Sequence, residues 1–485
     1  MNKAETKTFF GQPIGLKTLF MTEFWERFSY YGMRAILLYY MYYAVSKGGL
    51  GFKQETAASI MSIYGALVYM TSVLGGYISD RLLGSRRTVF WGGVLIMLGH
   101  IFLSLPLGTA TLYLSILFIT LGTGLLKPNV SDMVGDLYSP EDNRRDAGFS
   151  IFVMGINLGS LIAPAIVSQA WKMYNFHVGF SLAAIGMFFG LIIYYIQGEK
   201  YLPEVTLRPT DPITAPEKKR LKNRVLLSLI AVVIIAVVML VTKTANLQNV
   251  IMLISLFGVV LPVIYFVVIL GSQKVTKIEK SRVRAYIGLF IAAVIFWAIE
   301  EQGSSILGLF VANNTQLNLG GFHLNPSWFQ MLNPFFIIVY TPIFAALWTK
   351  LGKKQPSSPT KFWMGLIFTG ISYLVLVLPL LGTQGKVNPL WLVLSWGIVE
   401  IGEMLISPIG LSVTTKLAPK AFSSEMMSMW FLADSAGQAI NSQLVRFYPH
   451  HEMAYFGVTG LVAILFAILL ILFTPKIKKL MAGIN

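Results

Sequence analysis

Charged side chains in the middle of long apolar runs are the feature of this sequence that could do chemistry. The richest run, from Thr22 to Arg34, reads TEFWERFSYYGMR. From Glu23, the residues Glu26, Arg27, Tyr30 and Arg34 follow at i+3, i+4, i+7 and i+11, which on a helix is one stripe. A second run places Trp297, Glu300, Glu301 and Ser304 on one face by the same spacing. Further runs contribute Lys127, then Glu400 with Glu403, while Asn157 and Asn333 add amides. Ionisable groups in hydrocarbon are costly and mark functional sites by default, provided that they lie deep. For Glu23, Glu26 and Arg27 two readings stand: an internal ion-pair network that fixes packing, or a proton-handling site. Arg34, a further turn away, is the candidate to meet a ligand.

The signs of these charges divide along the chain. Arg27, Arg34 and Lys127 come from the first half, whereas the latter half supplies the acids Glu300, Glu301, Glu400 and Glu403. A cavity between the halves would be positive on one wall and negative on the other. A zwitterion suits it, with its carboxylate toward Arg34 and Lys127 and its ammonium toward Glu403. A carboxyl in a low-dielectric site can also take up a proton near neutral pH, which supplies a coupling ion without metal. Tyr30, Tyr31, Tyr69 and Trp430 could form polar-edged aromatic walls, although such residues in membrane helices more often serve packing or the interface.

These residues need a membrane-embedded frame, and the composition provides one. Of 485 residues 55% are hydrophobic and only 12% charged, whereas a soluble chain is about 25% charged. A hydrocarbon core about 30 Å thick takes about 20 helical residues. Fourteen apolar spans of that order can be counted: 16–44, 55–79, 87–107, 110–130, 147–170, 178–197, 223–242, 249–271, 283–312, 326–350, 361–383, 389–415, 421–446 and 454–474. The net charge of +16 does not point to nucleic acid, because the lysines and arginines sit in alternate short loops, such as Arg81, Arg86 and Arg87 or Arg144 and Arg145. That is the positive-inside pattern; with an even number of spans it places both termini in the cytoplasm.

The stretch 198–222, with four prolines among charges, reads as a cytoplasmic linker between an N-terminal bundle (1–197) and the remainder. Residues 223–271 form two almost wholly apolar spans, expected to be a lipid-facing accessory pair, and 272–485 the second bundle with its tail. Removing the pair leaves six spans per half. An internal repeat supports the division: Leu83-Gly84-Ser85-Arg86-Arg87 matches Leu351-Gly352-Lys353-Lys354, and Gly122, Leu125 and Pro128 recur as Gly402, Leu405 and Pro408. The polar N-terminus carries no signal-peptide pattern.

Other chemistry finds little support. There is no cysteine, so neither a disulfide nor a thiolate metal site can exist. The histidines His100, His177, His323, His450 and His451 fall mostly at span ends or in loops, which leaves any proton coupling to carboxylates. His450 and His451 with Glu452 make too sparse a set for a metal site. No nucleophile constellation suggests a membrane-embedded enzyme.

Several motifs together resemble the proton-dependent oligopeptide transporters of the major facilitator superfamily, bacterial type, over essentially the whole chain. They are Glu23-x-x-Glu26-Arg27 followed by Phe28-Ser29-Tyr30-Tyr31-Gly32, Gly122-Thr123-Gly124 through Lys127-Pro128-Asn129, Phe152 through Asn157-Leu158-Gly159-Ser160, and Gly402-Glu403-Met404-Leu405-Ile406-Ser407-Pro408. The loop Gly76-Tyr77-Ile78-Ser79-Asp80-Arg81 with Arg86 and Arg87 resembles the general major-facilitator motif. The resemblance implies an all-α integral membrane protein with two six-helix bundles plus two accessory helices, importing di- and tripeptides with protons by alternating access. No cofactor other than the proton is implied, and a monomer in the cell membrane is expected. Arg34 and Lys127 would receive the peptide carboxylate; Asn157, Asn333 and Glu403 would hold the amino end. Tyr30, Tyr31, Tyr69, Trp297, Ser407 and Trp430 would line side-chain pockets. Glu301 would pair with Arg34 as a gate, Lys127 with Glu300 or Glu301, and Glu23, Glu26 and Arg27 would be the proton-coupling motif. One departure is the lack of histidine in 55–79, where animal members are described as having one. Within carriers, another small anion or zwitterion, such as nitrate, is the rival substrate.

Overall fold

The structure, a computed structural model, describes residues 8–139, 142, 144–382 and 385–484. Helices dominate it. The first six are α1 (Gly15–Tyr42), α2 (Gln54–Ile78), α3 (Ser85–Ser104), α4 (Thr109–Gly135), α5 (Arg145–Met173) and α6 (Phe176–Tyr201). Next come α7 (Ala215–Val241) and α8 (Leu247–Gly271). The remainder are α9 (Lys277–Glu300), the short α10 (Ile306–Asn314), α11 (Leu332–Leu351), α12 (Ser358–Gly382), α13 (Leu390–Leu417), α14 (Ser423–Leu444) and α15 (Glu452–Leu480).

Twelve of the long helices are apolar enough to cross a membrane by length and composition. The two long helices outside that set, α1 and α14, are the polar ones. Their position explains it, because α1 is enclosed by α5 and α6, and α14 by α2, α8 and α9. A helix shielded from lipid on most sides can carry charges that a lipid-facing one cannot.

Small residues let the helices approach closely, and in doing so they account for the internal repeat. A methyl group on Gly122 of α4 would lie 2.5 Å from the Gly92 carbonyl oxygen of α3. Its counterpart Gly402 of α13 stands in the same relation to α12, where a methyl would lie 2.9 Å from the Gly365 oxygen. Without a hydrophobic effect between helices in lipid, such backbone contact is the main source of association.

Three expectations are corrected. The span expected at 283–312 is not one helix: a tight turn over Glu301–Ser304 separates α9 from α10, at Gln302-Gly303-Ser304-Ser305, a run of poor helix formers. Helix α7 begins at Ala215, inside the stretch assigned to the linker, because Glu217 accepts hydrogen bonds from the Thr214 backbone N–H (2.9 Å) and hydroxyl (2.7 Å) and caps it. The accessory helices also differ from one another. Helix α7 has no buried residue, but α8 packs on α14 and α2, and its Ser255 hydroxyl lies 2.6 Å from that of Ser442.

Candidate functional site

The site begins at α1. Arg27 reaches back to Glu23 at 3.1 Å and pairs with Glu26, all three buried. The cluster is thus an internal ion network, as one reading of the spacing held. It is incompletely satisfied, since Glu23 Oε2, Glu26 Oε1 and Arg27 Nη2 lack hydrogen-bond partners among the described residues. Gly159 of α5 makes the close packing possible: a methyl there would lie 2.4 Å from the Phe24 carbonyl oxygen.

Two turns on, Arg34 leaves its own helix and crosses to the second half. Its Nη2 lies 2.5 Å from Glu301 Oε2, and its Nε donates to Ser304 Oγ at 2.9 Å. Both charged partners are buried. The break after α9 positions them, because a continued helix would carry Glu301 and Ser304 around the axis. Gln302 anchors that turn: its amide donates to Asn441 Oδ1 of α14 at 2.9 Å and accepts from the Tyr373 hydroxyl of α12 at 3.0 Å.

Acids converge on the second-half wall. Asn333 donates to Glu300 Oε1 and Glu400 Oε1, each at 2.7 Å, and one oxygen of each of Glu300, Glu400 and Glu403 lies within 4.8 Å of the others. A small cleft opens between this wall and α1, lined by Tyr31, Arg34, Glu300, Glu301, Ser304, Asn333 and also by Gln330 and Trp396.

The remaining predicted residues stand outside that lining. The Lys127 ammonium lies 4.1 Å from the centre of the Tyr69 ring, and among the described residues no carboxylate lies within 4.0 Å of it. The expected pair of Lys127 with Glu300 or Glu301 is therefore not formed, since Glu301 is taken by Arg34 and Glu300 by Asn333. Pro128 has no N–H to give the preceding turn, and Asn129 instead donates to Gly75 O of α2 at 3.1 Å, which fixes the Lys127 segment against α2. Tyr30 lies beneath both Arg27 and Arg34, at 5.3 and 5.8 Å from ring centre to guanidinium carbon. Trp297 meets Trp430 edge-on, with centroids 6.4 Å apart. Asn157 donates to its own helix at Val153 O (3.0 Å), and Ser407 is half-buried on α13.

Three residues escaped the sequence reading. Trp396 precedes Glu400 and Glu403 by four and seven residues, so helical spacing alone could have added it. Gln330 sits in the irregular turn before α11, where periodicity gives no signal. Asp434 of α14 is an intramembrane acid only 2% exposed, and the count of acids by half omitted it.

Among the described residues, hydrogen bonds between the halves are confined to one side and the middle of the molecule. They join Gln54 to Asn313 (2.8 Å), Ser59 to the Ser442 carbonyl (2.9 Å), Ser435 to the Ala66 carbonyl (2.8 Å), Ser327 to the Ala35 carbonyl (2.9 Å) and Tyr39 to the Gly308 carbonyl (3.4 Å), besides Arg34 to Glu301 and Ser304. Most lie toward the end where α1 finishes and α2 starts, and the Ser435–Ala66 contact lies at the middle of α2. At the other end, among the described residues, no hydrogen bond joins the halves.

Comparison with known proteins agrees with this architecture. The profile of the POT family matches residues 86–462. A di-/tripeptide transporter of Lactococcus lactis subsp. cremoris is 49% identical, covering 100% of this chain and 99% of its own. Among solved structures, a substituted POT peptide transporter in complex with alafosfalin superposes with a TM-score of 0.93 at 54% identity, covering 98% of this chain and 97% of its own. A POT family transporter in complex with 5-aminolevulinic acid gives a TM-score of 0.92 at 44% identity, over 97% of this chain and 98% of its own.

Proposed function

The chain belongs to the POT family, a family of membrane transporters and not of enzymes, and from that premise we propose that it is a proton-coupled symporter importing di- and tripeptides by alternating access. The observation that carries the proposal is the Arg34–Glu301 pair, a buried ion pair between the halves beside a cleft whose other wall is acidic. A peptide's carboxylate takes Arg34, with Lys127 as the second cation on that wall, while its ammonium meets Glu300, Glu400 and Glu403 around Asn333. Backbone charges provide these contacts, so the side chains of the peptide stay loosely specified, facing Tyr30, Tyr31, Tyr69, Trp297, Ser407 and Trp430. Asn157 joins the amino-end contacts only after turning away from its own helix.

The proton enters through Glu301. Protonated, this carboxyl loses its hold on Arg34, because a neutral acid forfeits the charge attraction that offsets burial of the pair. The freed guanidinium then takes the peptide carboxylate, and the outer closure loosens. Glu23 and Glu26, with unpartnered oxygens beside Arg27, form a second place for a proton next to the same helix. The proton is the only coupling species in this scheme.

We place the protein in the cell membrane with both termini cytoplasmic, on the distribution of loop charge, and as a monomer, since a single chain supplies both walls of the cleft. The side joined by hydrogen bonds is then the outer one, and the open side faces the cytoplasm. A second reading, transport of other small zwitterions, is favoured by the relative that binds 5-aminolevulinic acid. Counterflow exchange in proteoliposomes separates the readings: labelled dialanine should exchange, whereas 5-aminolevulinic acid exchanging in its place, with no dipeptide exchange, would favour the second. Nitrate is not expected to exchange against the acidic wall.

A further inference from the structure

Among the described residues, no carboxylate lies within ion-pair distance of Lys127. Lys127 rests on the Tyr69 ring, and the acids expected to pair with it are engaged elsewhere. A buried or half-buried ammonium without counter-charge is strongly disfavoured, so something must balance it when no peptide is bound. In the first half the nearest acid is Glu23, which is already held by Arg27 at 3.1 Å.

Asp434 meets the requirement from the opposite half. It lies on α14 one turn after Trp430, whose ring faces Trp297, and one turn before Gln438, whose amide donates to Asp434 Oδ1 at 2.7 Å. No hydrogen bond among the described residues takes its second oxygen. Helix α14 is held against α2, the helix of Tyr69, by Ser435 and by Gln438, whose side chain fills the space where Gly65 lacks a Cβ. Tyr69, whose ring carries the Lys127 ammonium, stands one turn beyond the Ala66 carbonyl that accepts from Ser435, the neighbour of Asp434, which brings the two charges to one boundary. The charged and titratable groups facing Asp434 are Arg34 and Tyr30 from α1, Tyr69 from α2, Lys127 from α4, and Glu300 and Glu301 at the end of α9. Arg34 is committed to Glu301, which leaves Lys127 as the free cation among them.

We propose that Asp434 is a positioning residue for transport: it is the counter-charge that receives Lys127 across the halves when the carrier is empty, so that the empty carrier can close and return outward. A peptide carboxylate arriving at Lys127 displaces that attraction, and its departure restores it. Two cross-half charge contacts, Arg34 with Glu301 and Lys127 with Asp434, would then govern the empty state together. This assignment rests on the proposed peptide symport.

The test separates the two halves of the cycle. Counterflow uses only loaded carriers, whereas gradient-driven accumulation also requires the empty carrier to return. In proteoliposomes with labelled dialanine, Asp434→Asn is expected to lower gradient-driven accumulation about tenfold or more, the scale of one uncompensated buried charge, while counterflow falls by less than about threefold. Asp434→Glu should recover most of the accumulation. Asp434→Asn protein that accumulates dialanine like the parent would overturn the proposal, as would equal loss of counterflow and accumulation, which is the mark of a merely structural role. If Asp434→Asn fails to fold, Asp434→Ser, which also removes the charge, is read by the same two assays with the same outcomes deciding. Failure of the underlying symport reading would look different, because the unaltered protein would then exchange no dialanine.

Discussion

Arg34 holds two acceptors of the second half with two different nitrogens, Glu301 through Nη2 and Ser304 through Nε. A lysine presents one point charge and cannot occupy both positions, so Arg34→Lys is not a conservative change here. We expect it to raise the dipeptide KM about tenfold, roughly 1.4 kcal/mol, with folding unaffected; dialanine counterflow at graded concentrations measures it. Residue types were the most legible feature of the sequence at this scale. The Arg34–Glu301 pair, the acid group and the self-contained Glu23–Glu26–Arg27 network all involve residues that stand out as charges in apolar runs. Pairing was less legible, because it depends on which competitor is nearer in space. Lys127 lost Glu300 to Asn333 and Glu301 to Arg34, an outcome fixed by the turn at Glu301–Ser304 rather than by spacing along one helix.

At the scale of elements, the break after α9 and the closed face between α2 and α14 set where these residues stand. Gln302 ties the break to α14 and α12, with its amide buried and bonded at both ends. Gln302→Leu strands the Asn441 amide oxygen and the Tyr455 hydroxyl, which donates to Gln302 at 3.2 Å, each at a cost of about 1–3 kcal/mol. Lower thermal stability and lower uptake are expected together, followed by unfolding of the detergent-solubilised protein. The closed face can be tested separately. A leucine at Gly65 would collide with Gln438 of α14 and push the two helices apart. Because the chain has no cysteine, Ser59→Cys introduces the only thiol at that face. Adding Gly65→Leu should speed its labelling by a membrane-impermeant reagent from outside, about tenfold for each 1.4 kcal/mol by which closure is weakened. Unchanged labelling would mean that α2 and α14 do not form the closure. Helix existence could be read from apolar periodicity, and the ends could not: the cap at Thr214 and Glu217 began α7 earlier than its apolar run, and weak helix formers stopped α9 where hydropathy continues.

The molecule as a whole pairs a face closed by hydrogen bonds on one side with, among the described residues, none joining the halves on the other. With the proposed cytoplasmic termini, a carrier in this state would have released its load inward and must break the closed face to return. The contribution of α8 lies here, since it touches both α2 and α14 and so rests on both sides of that closure, a role that its apolar sequence gave no reason to expect. The central claim is that protonation of Glu301 couples the gradient to peptide entry. The most direct measurement is uptake of labelled dialanine into proteoliposomes with and without an inward proton gradient, comparing the parent protein with Glu301→Gln. The account predicts accumulation above the external concentration only with the gradient, and its loss in Glu301→Gln while counterflow exchange persists. Gradient-driven accumulation that survives in Glu301→Gln would contradict it and move the coupling to another carboxyl.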